Sequence, residues 1–171
     1  MKMFILGSLV TVIVLVAGAV IYLRLGYAEV RADVPASALE ASLLSKAVHA
    51  SVRREAPETA NPIAPTDENL IAGGKMYLNE CSGCHGLPGK ARKWASPLNP
   101  EPPQLPVVGT EYSEAQIFWI AKHGIRRTGM FANGVWESDQ KLWTISAYIY
   151  RMKNLPPQVA TEIDKAANRS N

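Results

Sequence analysis

The apolar residues of this chain form one long run near the N-terminus and several shorter stretches with helical spacing. The long run, residues 3–23 (MFILGSLVTVIVLVAGAVIYL), contains no charged side chain. A membrane-spanning helix needs about 20 such residues, whereas the apolar region of a signal peptide usually has about 7 to 15. Ala17-Gly18-Ala19 has the small-x-small pattern of a cleavage site, so a cleaved signal peptide is the alternative. Length favours a transmembrane signal anchor over residues 1–24.

Residues 25–66 predict a linker that contains one amphipathic helix. Ser37 and Glu40 have the spacing of a capping box, and they precede a segment of helical periodicity at about 38–54. The apolar positions of that segment are Leu39, Leu43, Ala47, Val48 and Val52. Its apolar stripe could lie on the following domain, on a partner protein or on the membrane surface, and packing on its own domain is the default expectation.

The main domain is predicted over residues 67–157, and its pattern is helical. A first helix begins after Thr66 and runs into a pair of cysteines, and two further helices are expected at about 113–123 and 138–152. No stretch alternates with a period of two, so the predicted fold class is all-α. Residues 158–171 are expected to be a C-terminal tail.

Composition adds large loops to this picture and excludes one class of partner. Twelve prolines and twelve glycines, many of them within residues 56–110, indicate long ordered loops between a few helices. The proline-rich stretch 88–110 is longer than a connection needs, which is typical of a functional loop. Eighteen Lys and Arg against fifteen Asp and Glu leave no polybasic patch of the kind that binds nucleic acid, so no nucleic-acid partner is expected.

The candidate chemistry is concentrated in residues 79–86, NECSGCHG, which hold both cysteines of the chain. A structural disulfide, a zinc site and a redox dithiol are the competing interpretations of Cys81 and Cys84. There is no second cysteine pair to complete a zinc site and no βαβ pattern to carry a dithiol. Cys-x-x-Cys-His is the attachment pattern of a c-type haem, in which two thiols form thioethers and His85 binds the iron. The motif therefore predicts one covalent haem c.

Met130 is the strongest candidate for the second axial ligand of that iron. It lies in the segment HGIRRTGMFANG between two predicted helices, where a loop could bring the thioether to the iron from the face opposite His85. Met76 precedes the cysteine motif in its own helix, and Met152 lies late in the last helix. A lone methionine is often only an adaptable core residue, but His/Met ligation is common in haem proteins of this kind.

With these motifs in view, residues 67–157 resemble a class I c-type cytochrome, and the whole chain is similar to a monohaem, membrane-anchored bacterial cytochrome c. Gly73 and Tyr77 resemble the small and aromatic positions of the family's first helix, and Ile145 and Tyr148 resemble the last-helix positions that cross it. The resemblance implies three to four helices around one covalent haem. It also implies that Gly73 lets the first and last helices touch.

Two further segments carry the resemblance. The sequence PPQL resembles the family's Pro-x-Leu segment, which implies that the Pro103 carbonyl accepts a hydrogen bond from His85 Nδ1 while Leu105 packs on the haem. The sequence GIRRTGM is similar to the segment that supplies the methionine ligand in many bacterial members. Phe131 follows Met130 where the family commonly has proline.

Several charged residues near these motifs are candidates for supporting roles. Arg126 and Arg127 are expected to meet the haem propionates, because guanidinium pairs with carboxylate in a bidentate way. His123 is expected to cap a helix C-terminus. His49, on the amphipathic helix, is expected at the surface. A basic cluster just after the motif, Lys90, Arg92 and Lys93, is either a docking patch for an acidic partner or an ordinary solvated loop.

The expected function is one-electron transfer by a His/Met-ligated haem, in a protein that is not itself an enzyme. Its expected partners are an oxidase, a reductase or a dehydrogenase, either met as a free carrier or joined as a subunit of a larger complex. The resemblance places the haem domain on the periplasmic side of the inner membrane, behind a single-pass anchor. The alternative is a gas-binding sensor or a peroxidase in which the sixth ligand is labile, and a haem that only stabilises the fold is a third interpretation.

Overall fold

The computed structural model describes residues 1–89 and 93–169, and it divides the chain into two compact units, Met1–Val34 and Pro35–Asn171. The first unit is dominated by one helix, α1 (Lys2–Arg24), whose side chains are all exposed. Among the described residues, α1 is the one helix that is long and apolar enough to cross a membrane. A signal sequence near an N-terminus can also be long and apolar enough to meet these criteria.

The second unit is built of helices joined by loops. Four of its helices begin at a residue predicted from sequence or one position from it, because Ser37, Thr66, Ser113 and Ser138 each accept a bond from the backbone N–H three residues on. The α-helices within the described residues are α2 (Ala38–Glu55), α3 (Asp67–Glu80), α4 (Ser82–His85), α5 (Leu105–Val108), α6 (Glu114–His123), α7 (Asp139–Arg151) and α8 (Pro157–Arg169). Two short 3₁₀ helices lie at Lys93–Ala95 and Asn133–Val135.

The close crossing of α3 and α7 organises the core. A Cβ added at Gly73 would lie 2.4 Å from the carbonyl oxygen of Thr144, so only glycine allows the two backbones to approach this closely. One turn further along each helix, Tyr77 of α3 and Tyr148 of α7 are both fully buried, with their ring centroids 5.7 Å apart. The helix contact implied by Gly73, Tyr77 and Tyr148 is therefore present in the structure.

A second part of the core joins α6 to α7. The rings of Phe118 and Trp143 stack in parallel with their centroids 4.1 Å apart, and Ala121 and Leu142 complete the cluster. α7 is thus buried on both sides, against α3 and against α6. This arrangement explains why eight consecutive residues of α7, from Leu142 to Ile149, are buried.

The C-terminal segment is not the tail that the sequence predicted. Most of it forms α8, which packs against α3 and buries Val159, Ile163 and Ala167. These residues recur every four positions and so form one apolar face of a helix. Gly74 provides the space, because a Cβ there would lie 2.3 Å from Ile163 Cδ1. The compact unit therefore extends well past residue 157.

The amphipathic helix α2 packs on its own domain, which is one of the three arrangements that the sequence allowed. Val52 is fully buried and α2 contacts α6. The His49 ring stacks on Tyr112 at 5.3 Å, and the Tyr112 hydroxyl lies 3.0 Å from His49 Nδ1. His49 is therefore a partly buried contact residue, not the surface residue that the sequence predicted.

Candidate haem site

The two cysteines and the histidine lie on a single helical turn that follows α3. Cys81 ends α3, and its carbonyl oxygen accepts hydrogen bonds from the backbone N–H groups of Cys84 and His85 at 3.1 and 2.9 Å. This turn places the two cysteines three positions apart on one side of the helix. Both thiols are free, so the competing interpretation of Cys81 and Cys84 as a structural disulfide finds no support.

His85 is held in one orientation and one tautomer by the proline-rich loop. Its Nδ1 lies 2.9 Å from the carbonyl oxygen of Pro103. Because a carbonyl can only accept, Nδ1 carries the hydrogen and Nε2 keeps a free lone pair. Burial lowers the pKa of the His85 imidazole, and the bond to Pro103 opposes this effect without cancelling it. The neutral imidazole that results is the form that binds a metal.

Two residues with no assigned role at the site in the sequence analysis hold this turn in place. The Tyr77 hydroxyl donates to the carbonyl oxygens of Gly86 at 2.8 Å and His85 at 3.1 Å. Gln104 Nε2 donates to the carbonyl oxygen of Cys84 at 3.0 Å. Gln104 stands between Pro103 and Leu105 in the segment PPQL, and its position there is the one sequence signal that could have suggested a role.

Cys81 packs, partly buried, against the main core cluster, and burial raises the pKa of its thiol to about 12. The neighbouring carboxylate of Glu80 and the Cys84 thiol add to the rise, while Lys141 opposes it. The thiol of the unmodified chain is therefore neutral at physiological pH.

The backbone around Met130 closes into a compact loop. Ile125 N–H donates to the Met130 carbonyl at 2.9 Å, so the two ends of the loop meet. The Thr128 hydroxyl donates to the Ile125 carbonyl at 2.7 Å and accepts from Met130 N–H at 3.0 Å. Arg127 takes the left-handed conformation, with φ of 63°, that the turn requires. These bonds give the loop its shape although Phe131 replaces the proline of the family.

Gly124 and Asn133 fasten this loop to α6. Gly124 has φ of 66°, and a Cβ there would lie 2.6 Å from the Met130 carbonyl oxygen, so the loop backbone lies directly against it. The Asn133 side chain donates to the carbonyl oxygen of Ala121 at 2.9 Å. The local structure therefore explains the first glycine of the sequence GIRRTGM, Gly124, and its threonine, Thr128.

One segment of the proline-rich loop contacts both candidate halves of the site. A Cβ added at Gly83, between the two cysteines, would lie 3.9 Å from the ring of Trp94. A Cβ added at Gly129, next to Met130, would lie 3.3 Å from a methyl carbon of Leu98. Residues 94–98 therefore bridge the cysteine turn and the Met130 loop.

The remaining candidates lie on exposed loops, at a helix end or against the core. Leu105 begins α5 and packs, partly buried, against the main core cluster. Arg126 and Arg127 are exposed. His123 is the last residue of α6, and its ring lies 5.1 Å from that of Trp119. Met76 and Met152 pack against the core, and the basic cluster's side chains, Lys90, Arg92 and Lys93, lie outside the described residues.

The donor groups fit a haem better than a bare metal ion. In the described part of the chain, no group of three His, Cys, Asp or Glu side chains could hold a metal ion, so a zinc site finds no ligand set there. Two free thiols on one turn, an imidazole with a free Nε2 and a thioether on a separate loop are the donor set of a c-type haem. These groups suit a haem that is attached to the chain through two thioethers.

Comparison with known proteins gives one match. Residues 68–149 match the family model described as cytochrome c oxidase, cbb3-type, subunit III. The curated proteins and the solved structures contain no match to the chain. The matched region runs from the first turn of α3 nearly to the end of α7, and it includes the cysteine turn, Pro103 and Met130. This stretch of the chain is therefore a monohaem c-type cytochrome domain.

Proposed function

We propose that this chain carries single electrons on a haem joined to Cys81 and Cys84, with His85 Nε2 and the Met130 thioether as axial ligands. The domain type already indicates a haem-based electron carrier. The observation that supports the specific ligand set is the His85–Pro103 hydrogen bond, which commits Nδ1 and leaves Nε2 for iron. The closed loop around Met130 supplies a second, separately held donor.

The protein's part in this function is to hold the ligands and to exclude water. A bound haem supplies an iron that alternates between the ferrous and ferric states. By accepting a hydrogen bond from Nδ1, the Pro103 carbonyl makes the His85 imidazole a stronger electron-pair donor to a metal. Leu105 provides apolar contact, and we assign Arg126 and Arg127 to the propionates because both guanidinium groups are exposed beside the Met130 loop. Two protein ligands on the iron leave no open position for a substrate, so we propose no catalytic residue.

We further propose that α1 anchors the domain to the cell inner membrane as a single-pass helix, with the haem domain in the periplasm. The length and apolar composition of α1 support the anchor. The description of the matching family, a subunit of a cbb3-type cytochrome c oxidase, supports an oxidase complex as the electron-accepting partner. A free carrier that meets a reductase or a dehydrogenase is the other arrangement compatible with a tethered domain.

The experiment that tests the ligand set compares optical spectra of the haem-loaded full chain with those of two methionine variants. A thioether on ferric haem gives a weak absorption band at the red end of the spectrum. We expect this band in the parent protein, its loss in Met130→Ala, and its retention in Met152→Ala, because Met152 packs in the core. A potentiometric titration should also show a lower reduction potential in Met130→Ala, since the thioether raises it.

Three outcomes would contradict the proposal. If the parent protein lacks the band and its ferrous form binds carbon monoxide readily, the iron has an open position, and a sensor or a peroxidase becomes the better interpretation. If the band survives in Met130→Ala, another residue is the sixth ligand. Release of the haem by acidified organic solvent would show that it is not covalently attached to Cys81 and Cys84.

A further inference from the structure

The helix α2 has two apolar faces, and only one of them is used by the domain. Val52 is fully buried, and Val48 and His49, on the same side, are half-buried. A second set of apolar residues lies about 140° to 180° around the helix from Val52, at 100° per residue. This set, which we call the leucine stripe, consists of Leu39, Leu43, Ala47 and Ala50, and all four are exposed.

The exposure of the stripe is large for leucine. Leu39 is 70% exposed and Leu43 is 58% exposed, while neighbouring Leu44 is 57% exposed. An apolar helix face that is left in water indicates a binding surface when the residues form a continuous stripe instead of scattered positions. The leucine stripe covers more than three turns of α2, so it is such a surface.

The charges beside the stripe favour an anionic occupant. Lys46 and Arg53 lie along one edge of it, and both are exposed. Long basic side chains at the edge of an apolar stripe can lay their methylene groups on an apolar phase while the charged ends stay in water. Glu40 lies at the other edge, near the start of the helix, and Glu55 at its end is paired with Arg54 at 2.9 Å. The pattern of leucines bordered by basic residues is that of a helix lying on a lipid surface.

Chain length keeps this helix close to a membrane if α1 spans one, which is the part of the proposed function on which this inference rests. The connector between the two helices is residues 25–37, and it reaches about 45 Å at most when fully extended. Its exposed apolar residues Leu25, Tyr27 and Val30 would also favour an interface over water. The N-terminal half of α2, which carries both stripe leucines, is the half that follows the connector directly in sequence.

We propose that the leucine stripe binds the lipid headgroup layer, so that α2 lies between the bilayer on one face and the haem domain on the other. A second copy of the chain is a weaker occupant, because a stable interface buries at least about 1,000 Å² and a stripe of two leucines and two alanines supplies little of that. Lipid requires no such minimum, and each basic residue near an anionic surface adds to the attraction. α2 would then fix the distance and the orientation of the haem domain at the membrane.

The test measures how deeply each face of α2 lies in a bilayer. The haem-loaded full chain is reconstituted in nanodiscs that contain anionic lipid, and a nitroxide is attached to Ala50→Cys or, as the matched control, to Ala41→Cys. Both alanines are exposed, and nine residues place them on opposite sides of the helix. With the haem reduced, the ratio of accessibility to oxygen over accessibility to a water-soluble nickel complex should be severalfold higher for the label at position 50.

Equal ratios at the two positions would overturn the proposal, and so would dipolar broadening between labels, which would show that a second copy covers the stripe. The double variant Leu39→Glu/Leu43→Glu should abolish the difference, whereas Ser45→Glu, away from the stripe, should keep it. Flotation with vesicles and the haem spectrum are recorded for every variant. If the parent chain does not float with vesicles, α1 is not an anchor and the inference is overturned too. An altered haem spectrum in a variant shows instead that the substitution has disturbed the haem site.

Discussion

A histidine ring has two nitrogens, and in this protein the hydrogen bond made by one of them determines what the other can do. The Pro103 carbonyl oxygen accepts a hydrogen bond from His85 Nδ1, which leaves the Nε2 lone pair available to iron. The sequence resemblance implied this bond, and the structure contains it. The structure adds Gln104, whose side chain bonds to the Cys84 carbonyl and so ties the same loop to the same turn at a second point.

At the residue scale, the first prediction concerns the Tyr77 hydroxyl. Tyr77→Phe should lower the free energy of unfolding by about 1 to 3 kcal/mol, because the buried carbonyl of Gly86 would lose its partner. Tyr150→Phe is the matched control, since Tyr150 is 52% exposed and should change the free energy by less than about 0.5 kcal/mol. Denaturant titration of the haem-loaded protein measures both. Equal effects of the two changes would show that the Tyr77 hydroxyl does not hold the turn.

Lys141 supplies a prediction at the scale of elements, because it links the end of α3 to the start of α7. Its ammonium group pairs with Glu137 at 2.8 Å and also with Glu80, and bonds to these two carboxylates raise the pKa of Lys141 above its usual value of 10.5. A raised pKa means that the folded protein binds this proton more tightly than the unfolded chain does. The stabilisation is therefore complete below pH 10.5 and is lost as the pH rises through the folded value.

Lys141→Met should consequently destabilise the protein by about 1 kcal/mol at neutral pH, and by progressively less in alkaline solution. Lys165→Met serves as the control, because Lys165 is 62% exposed and pairs only with Glu162 one helical turn away. The measurement is the free energy of unfolding of the parent and both variants as a function of pH. A difference that stays constant above the raised pKa would contradict the assignment to this ion pair.

The helix α8 gives a second prediction at this scale. Ile163→Ala should cost about 2 to 5 kcal/mol, because Ile163 is 1% exposed and packs against Gly74 of α3. Thr161→Ala, on the exposed side of α8, should cost far less. Thermal unfolding of the haem-loaded variants compares the two. Similar melting temperatures would mean that the last helix is not part of the cooperative unit.

The core helices α3, α6 and α7 were predictable from periodicity and caps. The helix α8 was not predicted, and there is a physical reason for this. α3, α6 and α7 begin within one residue of the predicted positions because Thr66, Ser113 and Ser138 cap them through local bonds. α8 has only three buried apolar positions among charged residues, and its partner surface depends on Gly74, which is far away in sequence. The four-residue spacing of Val159, Ile163 and Ala167 is the local pattern that α8 offers, but the space that buries them is created by a distant glycine and leaves no trace in the segment itself.

At the scale of the whole molecule, α2 joins the compact unit through few contacts, so one substitution should release it. Val52→Asp would place a carboxylate in the fully buried position against α6, and it should abolish hydrogen-exchange protection across residues 48–55. Leu44→Asp, at an exposed position outside the leucine stripe, should leave that protection unchanged. Exchange measured by mass spectrometry tests this, and an unaltered haem spectrum in both variants shows that the domain itself is intact. Protection that persists in Val52→Asp would contradict the docking.

The candidate site residues could be predicted from sequence where they lie in short, recognisable segments. Cys81, Cys84 and His85 form a contiguous motif, and Met130 lies in a recognisable short segment. The contacts that support these residues join positions that are apart in sequence, such as Trp94 with Gly83 and Leu98 with Gly129. A local sequence pattern cannot predict such contacts.

The closed loop around Met130 also has a consequence for kinetics. Its hydrogen bonds run from Ile125 to Met130 and through Thr128, so the loop can open by breaking bonds within itself while the helices stay folded. The rate at which added imidazole replaces the thioether would then report the opening of six residues and not the unfolding of the protein. That rate should rise in Thr128→Val and stay the same in Ile163→Ala, which would separate the lifetime of the proposed bond between Met130 and iron from the stability of the fold.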